Sequence, residues 1–175
     1  WLWTKLGAIK KNPNTTIKFA LGILQLGLGF LIFALTAHFI GENGKVPFLF
    51  VFLGYFLITT GELFLSPIGL SKVTELSPKR MIGFMMGVWF LSSTFAHYIS
   101  GILAKLTTTG TESSENLLSK LSNWLMGNPD TSSEAVATLV QYNTIYAQIG
   151  IVTIIISLFV ILISPFIKKL MHGIH

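Results

Sequence analysis

The sequence has no cysteine among its 175 residues, which excludes disulfides and thiolate metal sites. Charge is almost as scarce. Asp, Glu, Lys and Arg make up 11% of the chain, against about 25% in ordinary soluble domains. Metal-ligand spacings, a phosphate-binding loop, a dinucleotide fingerprint and a catalytic triad are also missing. Ser92 and Ser93 have no oriented base beside them and do not make a nucleophile. The net charge of +5 does not indicate nucleic acid, because the basic residues sit in short clusters rather than along a stripe.

What is abundant is apolar surface: 51% hydrophobic residues and a mean hydropathy of +0.69. It is concentrated in four runs, residues 19–40, 46–73, 81–106 and 141–167. Each is long enough to cross a hydrocarbon layer of about 30 Å. The first and last carry no charge, the second is broken only by Glu62 and by Lys72 near its end, and the third holds His97 before Lys105. The expected fold class is therefore all-α, with polytopic transmembrane helices. Trp1 to Thr4 read as the end of a further helix meeting a basic flank, so the chain is expected to be part of a longer protein.

Charge sets the expected topology. Lys5, Lys10, Lys11, Lys18, Lys72, Lys79, Arg80, Lys168 and Lys169 fall on one side of the four spans, with Glu75 the only acid there. Lys45, Lys105 and Lys120 face the other side with Glu42, Glu112, Glu115, Asp130 and Glu134. The positive-inside rule makes the basic side cytoplasmic and puts both ends of the segment inside. The connection 107–140 is then external. Residues 107–114 read as flexible loop. Leu117, Leu118, Leu121, Trp124 and Leu125 recur at helical spacing, as in a short amphipathic helix that serves as a lid or lies on the membrane surface. A substrate or partner role is the other reading. Gly127-Asn128-Pro129-Asp130 closes the segment as a turn.

Glu62 is the sharpest functional signal. A charge at the centre of a membrane helix costs about 2.5–3.5 kcal/mol on insertion scales. It is tolerated where it faces a wet cavity, pairs with a base or takes a proton. The structural alternative is a protonated Glu bonded to a neighbouring helix. Tyr55, Thr59, Glu62 and Ser66 lie at i−7, i−3, i and i+4, on one polar-tipped face. Pro67 follows and should kink the backbone and free a carbonyl near Leu63; a binding site and a packing kink explain it equally well. Gly54, Gly61 and Gly69 are compatible with close helix contacts.

In the next span Trp89, Ser93, Ala96, His97 and Ser100 share a face. Trp89 stacks on a substrate or closes a gate in one reading and is lipid-facing bulk in the other. His97 relays protons, or is an uncharged His bonded to Ser93 or to a backbone carbonyl. Gln25 reads as an interhelical hydrogen bond rather than a ligand contact. His38, near a membrane boundary, and His172 and His175 in the tail are assigned no role.

Gly61-Glu62-Leu63-Phe64-Leu65-Ser66-Pro67-Ile68-Gly69-Leu70-Ser71, followed by Leu76-Ser77-Pro78 and Met85-Met86-Gly87-Val88-Trp89-Phe90-Leu91, resembles the proton-dependent oligopeptide transporter family of the major facilitator superfamily. The resemblance is strongest from Gly54 to Leu106. It implies that the four spans are helices nine to twelve of a twelve-helix transporter, with the N-terminal helix bundle upstream. It implies proton-coupled symport of di- and tripeptides across a bacterial inner membrane, with no cofactor. Glu62 then matches the helix-ten glutamate that meets the peptide's amino terminus. Ser66 matches a cavity position and Trp89 a pocket-lining aromatic, with Phe90 adjacent to it and Tyr55 on the Glu62 face. The proton-handling motif and the base for the peptide carboxylate would lie outside this chain. Two other readings remain: transport of another small ion on the same scaffold, and a membrane anchor that transports nothing.

Overall fold

A computed structural model describes residues 13–41, 45–109, 117–127 and 134–170. The expected helix end at Trp1 to Thr4, Lys5, Lys10 and Lys11, the loop residues 110–116, the turn residues Asn128 to Asp130 and the tail histidines lie outside the described residues. Five α-helices follow in order: α1 (Thr15–Leu35), continued by a 3₁₀ turn (Thr36–Phe39), α2 (Phe48–Leu76), α3 (Ile82–Thr109), α4 (Leu117–Met126) and α5 (Glu134–Leu170). Among the described residues, four helices are long and apolar enough to cross a membrane: Thr15–Phe39, Phe48–Leu76, Ile82–Ile102 and Val136–Ile167. Long apolar runs take this form because hydrocarbon offers no partner to a backbone N–H or C=O, and a helix satisfies both internally.

The boundaries have local causes. At the start of α1 the Asn14 carbonyl accepts from the amides of Ile17 (2.9 Å) and Lys18 (3.1 Å). α2 starts directly after Pro47. It stops at Ser77, which is extended (φ −82°, ψ 139°), because Pro78 clashes with a helical conformation of the residue before it. The chain then reverses in a turn closed by Met81 N–H on the Pro78 carbonyl (2.8 Å). Pro67 and Pro165 sit inside helices that run on through them, so α2 is not broken beside Glu62.

Helix boundaries differ from the sequence expectation: α1 starts at Thr15 rather than at 19, and α2 ends at Leu76 rather than at 73. α3 continues to Thr109, into the segment read as loop. α5 starts at Glu134, about two turns before the expected start of the last span at 141. Glu134 sits in the first turn, where the helix dipole favours an acid, and Val136 is buried. The residues added at this end, 135–140, are uncharged and continue the apolar stretch, which runs from Val136 to Ile167.

Lipid tails are as apolar as leucine, so close packing has to hold membrane helices together, and small residues permit it. α1 lies between α2 and α5 on two such seams. A Cβ added to Gly61 would sit 3.0 Å from the Gly22 carbonyl oxygen, and one on Gly29 3.0 Å from that of Gly54. On the other side, a Cβ on Gly150 would sit 3.1 Å from the Gly27 carbonyl oxygen. As numbers rise along α1 they fall along both neighbours, so both pairings are antiparallel.

Polar groups tie the same seams. Gln25 Nε2 donates to Thr60 Oγ1 across α1 and α2, the interhelical bond expected of Gln25. The buried Ser157 hydroxyl donates to the Ala20 carbonyl (2.8 Å). At the far end, the Asn143 amide takes the orientation its partners satisfy. It donates to the Phe33 carbonyl (3.2 Å) and accepts from Thr36 Oγ1 (3.1 Å) and the Ala37 amide (3.2 Å). Asn143 is 4% exposed, and its bonds fasten α5 to the end of α1 and the 3₁₀ turn. Asn143→Leu is expected to destabilise the protein by about 1–3 kcal/mol, the cost of stranding buried polar partners, read as a lower melting temperature in detergent.

α3 stands apart from these seams. Every residue from Leu91 to Ser100 is exposed. It meets α2 at its basic end, where Trp89 lies over Gly69.

Candidate functional site

The glycine seam fixes how α2 is turned. With Gly54 and Gly61 buried against α1, the helical twist carries Tyr55, Thr59, Glu62 and Ser66 to a different face, and all four are exposed. The polar stripe expected from spacing is therefore one uncovered surface. Gln25 and Thr60 are spent on each other, and Glu62 is the carboxylate of the stripe.

Each end of the stripe is set by an aromatic ring. At one end the Tyr55 ring meets Phe33 of α1 edge-on, with centroids 5.3 Å apart. It is 63% exposed, so its hydroxyl edge stays accessible. At the other end the Trp89 indole of α3 covers Gly69, about two turns beyond Glu62. The space a Cβ on Gly69 would fill is taken by the indole and by the ring tip of Phe19, 3.0 Å away. Gly69 is what lets the Trp89 indole approach the α2 backbone this closely, a role the spacing did not separate from ordinary helix contact.

Tyr55, Thr59, Glu62 and Ser66 thus share one face of α2, and Trp89 of α3 meets that helix at Gly69. Phe90 and His97 lie on the exposed length of α3. Phe90 is 60% exposed and is not on the α2 contact. Trp89 also walls a cleft of about 540 Å³ between α1, α2 and α3 at the basic end, with Phe19, Leu76 and Met85. Lys72 stands at its rim, paired with Glu75 (2.5 Å). Among the described residues no group of three or more His, Asp or Glu side chains comes together to hold a metal.

Chemically, the stripe offers a carboxylate with hydroxyls a helical turn to either side and an indole against the helix beyond them. That set can hold a small solute bearing a cationic group. It contains no nucleophile–base pair.

Several long apolar helices, packed through glycines and carrying a deep carboxylate on an open face, define a polytopic membrane protein of the transporter type. The family model for PTR2, the POT family, matches residues 1–125. The chain belongs to that family. It is similar to the dipeptide and tripeptide permease A of Chromobacterium violaceum, with 33% identity over 168 residues, 96% of this chain and 30% of that protein. Dipeptide and tripeptide permease A of Yersinia pestis is 34% identical over 164 residues, 94% of this chain and 28% of that protein. The uncharacterized transporter YclF of Bacillus subtilis is 32% identical over 174 residues, 99% of this chain and 29% of that protein. The chain thus spans about three tenths of the length of the curated relatives it matches.

Proposed function

We propose that the chain is the C-terminal part of a symporter that carries di- and tripeptides with protons across a bacterial inner membrane. The observation that carries this reading is the uncovered α2 stripe with Glu62 at its middle. A helix that only packed would not keep a carboxylate and three hydroxyl-bearing residues on its open side. Family membership and the permeases named above support peptides as the cargo.

In this reading Glu62 receives the peptide ammonium group. Ser66 and Tyr55 border the bound peptide, and Trp89 and Phe90 present apolar surface to it. The opposing wall, including a base for the peptide carboxylate, comes from an N-terminal helix bundle of the same protein. His97 is a gate or proton-relay position. Binding a zwitterion and binding a proton then bias the same equilibrium between two access states, and such bias is what couples their movement. The excess of Lys and Arg at one end of the spans supports a cytoplasmic location for that end.

The test is uptake of a labelled dipeptide by proteoliposomes holding the full-length protein, with and without an inward proton gradient. Gradient-driven uptake should be competed away by unlabelled di- and tripeptides and left unchanged by free amino acids or nitrate. Competition by one of those other solutes but not by peptides would reject the cargo. Uptake indifferent to the gradient would reject the coupling.

A further inference from the structure

α4 turns Leu117, Leu121 and Trp124 to the face that does not pack. Ser119, Ser122 and Met126 are turned inward, at 7%, 0% and 3% exposure, while Leu117 and Trp124 are 78% and 81% exposed and Leu121 is 42%. A short helix docked on a water-soluble core would be turned the other way round. Here the serines form the contact surface because they are small, and the Ser122 hydroxyl is satisfied by the Ser119 carbonyl of its own helix (2.9 Å).

The helix is also held at a definite height. His38 Nε2 lies 2.8 Å from the Leu125 carbonyl, one of the last-turn carbonyls that a helix leaves without an internal partner. Met126 Sδ accepts from Thr144 Oγ1 of α5 (3.7 Å). Gly127 follows in the left-handed region (φ 68°), and a Cβ there would sit 3.1 Å from His38 Cε1. Glycine is needed on both counts. His38 lies in the 3₁₀ turn that ends the first membrane-crossing helix, Thr15–Phe39. A helix fastened there lies at the membrane boundary.

We propose that α4 is an interfacial helix, lying in the membrane plane at the end of the bundle opposite the basic connections, with Leu117, Leu121 and Trp124 seated at the headgroup–acyl boundary. The occupant of this face is the lipid surface. Its three large side chains suit a medium that is apolar on one side and wet on the other, and Trp is the residue enriched at that depth. Lys120 and Asn123, both exposed, stand on its flank where headgroups and water are within reach. His38 and Gly127 are positioning residues that keep the helix at this level. The inference rests on the packing of α4 and not on the cargo, so it stands or falls separately from peptide transport.

The test uses the full-length protein in lipid nanodiscs, with any other cysteines replaced and a nitroxide label attached in turn through Leu121→Cys, Asn123→Cys and Trp124→Cys. Labels at 121 and 124 should be relaxed several-fold more by oxygen, which partitions into lipid, than by a water-soluble nickel chelate. The label at 123 should show the reverse preference. Nickel preference at 121 and 124 would place the face in water, and protection from both agents would place it against protein; either overturns the proposal. Trp124→Phe, which keeps the face apolar, gives an independent reading: it should remove part of the tryptophan quenching caused by brominated lipids. Unchanged quenching would also overturn it.

Discussion

Glu62→Gln in the full-length protein is expected to lower gradient-driven peptide uptake by about 30-fold or more, with expression and melting temperature close to wild type. Removing one partner of a desolvated, hydrogen-bonded charge pair costs about 2–5 kcal/mol, and about 1.4 kcal/mol corresponds to tenfold. Gln keeps the shape and hydrogen-bonding capacity of Glu while losing its charge, so the substitution separates two roles. A glutamate that only bonds to a neighbouring helix would be replaced by Gln with little functional loss. One that receives an ammonium group, or alternates between that group and a base, would not. The exposed position of Glu62 on α2 also means that the change should leave the packed seams undisturbed. Uptake within threefold of wild type would return Glu62 to a packing role.

Gly61→Leu should act through the fold instead. At this position the α1 backbone itself is in the way: the Gly22 carbonyl oxygen lies 3.0 Å and the Leu26 nitrogen 3.3 Å from where a Cβ would be. Neither is the end of a flexible side chain, so the helices must separate. Overpacking a tight contact costs about 1–3 kcal/mol for a small excess, which is the expectation for Gly61→Ala, seen as a lowered melting temperature in detergent. The larger Leu would also force apart the neighbouring Gly29–Gly54 contact, and the expected outcome is little or no monodisperse protein. Equal melting temperatures for wild type, Gly61→Ala and Gly61→Leu would show that α1 and α2 are not in this close contact.

The graded response at Gly61 and the charge-specific response at Glu62 come from residues one position apart. Along α2, Gly54 and Gly61 occupy a different face from the polar residues, so the packing that turns Gly61 inward turns Glu62 outward.

Much of this was legible in the sequence. Uncharged runs longer than a bilayer is thick leave few options but helices, and spacing alone placed Tyr55, Thr59, Glu62 and Ser66 on one face. Gln25 was readable as an interhelical bond because an amide inside an apolar run has to find a partner. Spacing does not say which glycine faces which helix, however. Gly54 and Gly61 meet α1, whereas Gly69 meets the rings of Trp89 and Phe19; this depends on the register between helices far apart in sequence. The same limit hid Asn143, whose partners lie more than 100 residues away at Thr36 and beyond. It also hid His38, which was assigned no role yet bonds to Leu125. For α4 the period was visible, but not which side of it packs. Amphipathicity identifies an apolar face without identifying what covers it.

The most direct test of the central claim is the affinity of the full-length protein for alanyl-alanine and for its N-acetylated form, measured on wild type and on Glu62→Gln. If Glu62 receives the peptide ammonium group, wild type should favour the free amine by about 30-fold or more, and the substitution should reduce that preference to a few-fold. Equal affinity of wild type for the two ligands, or a preference that survives in Glu62→Gln, would contradict the account.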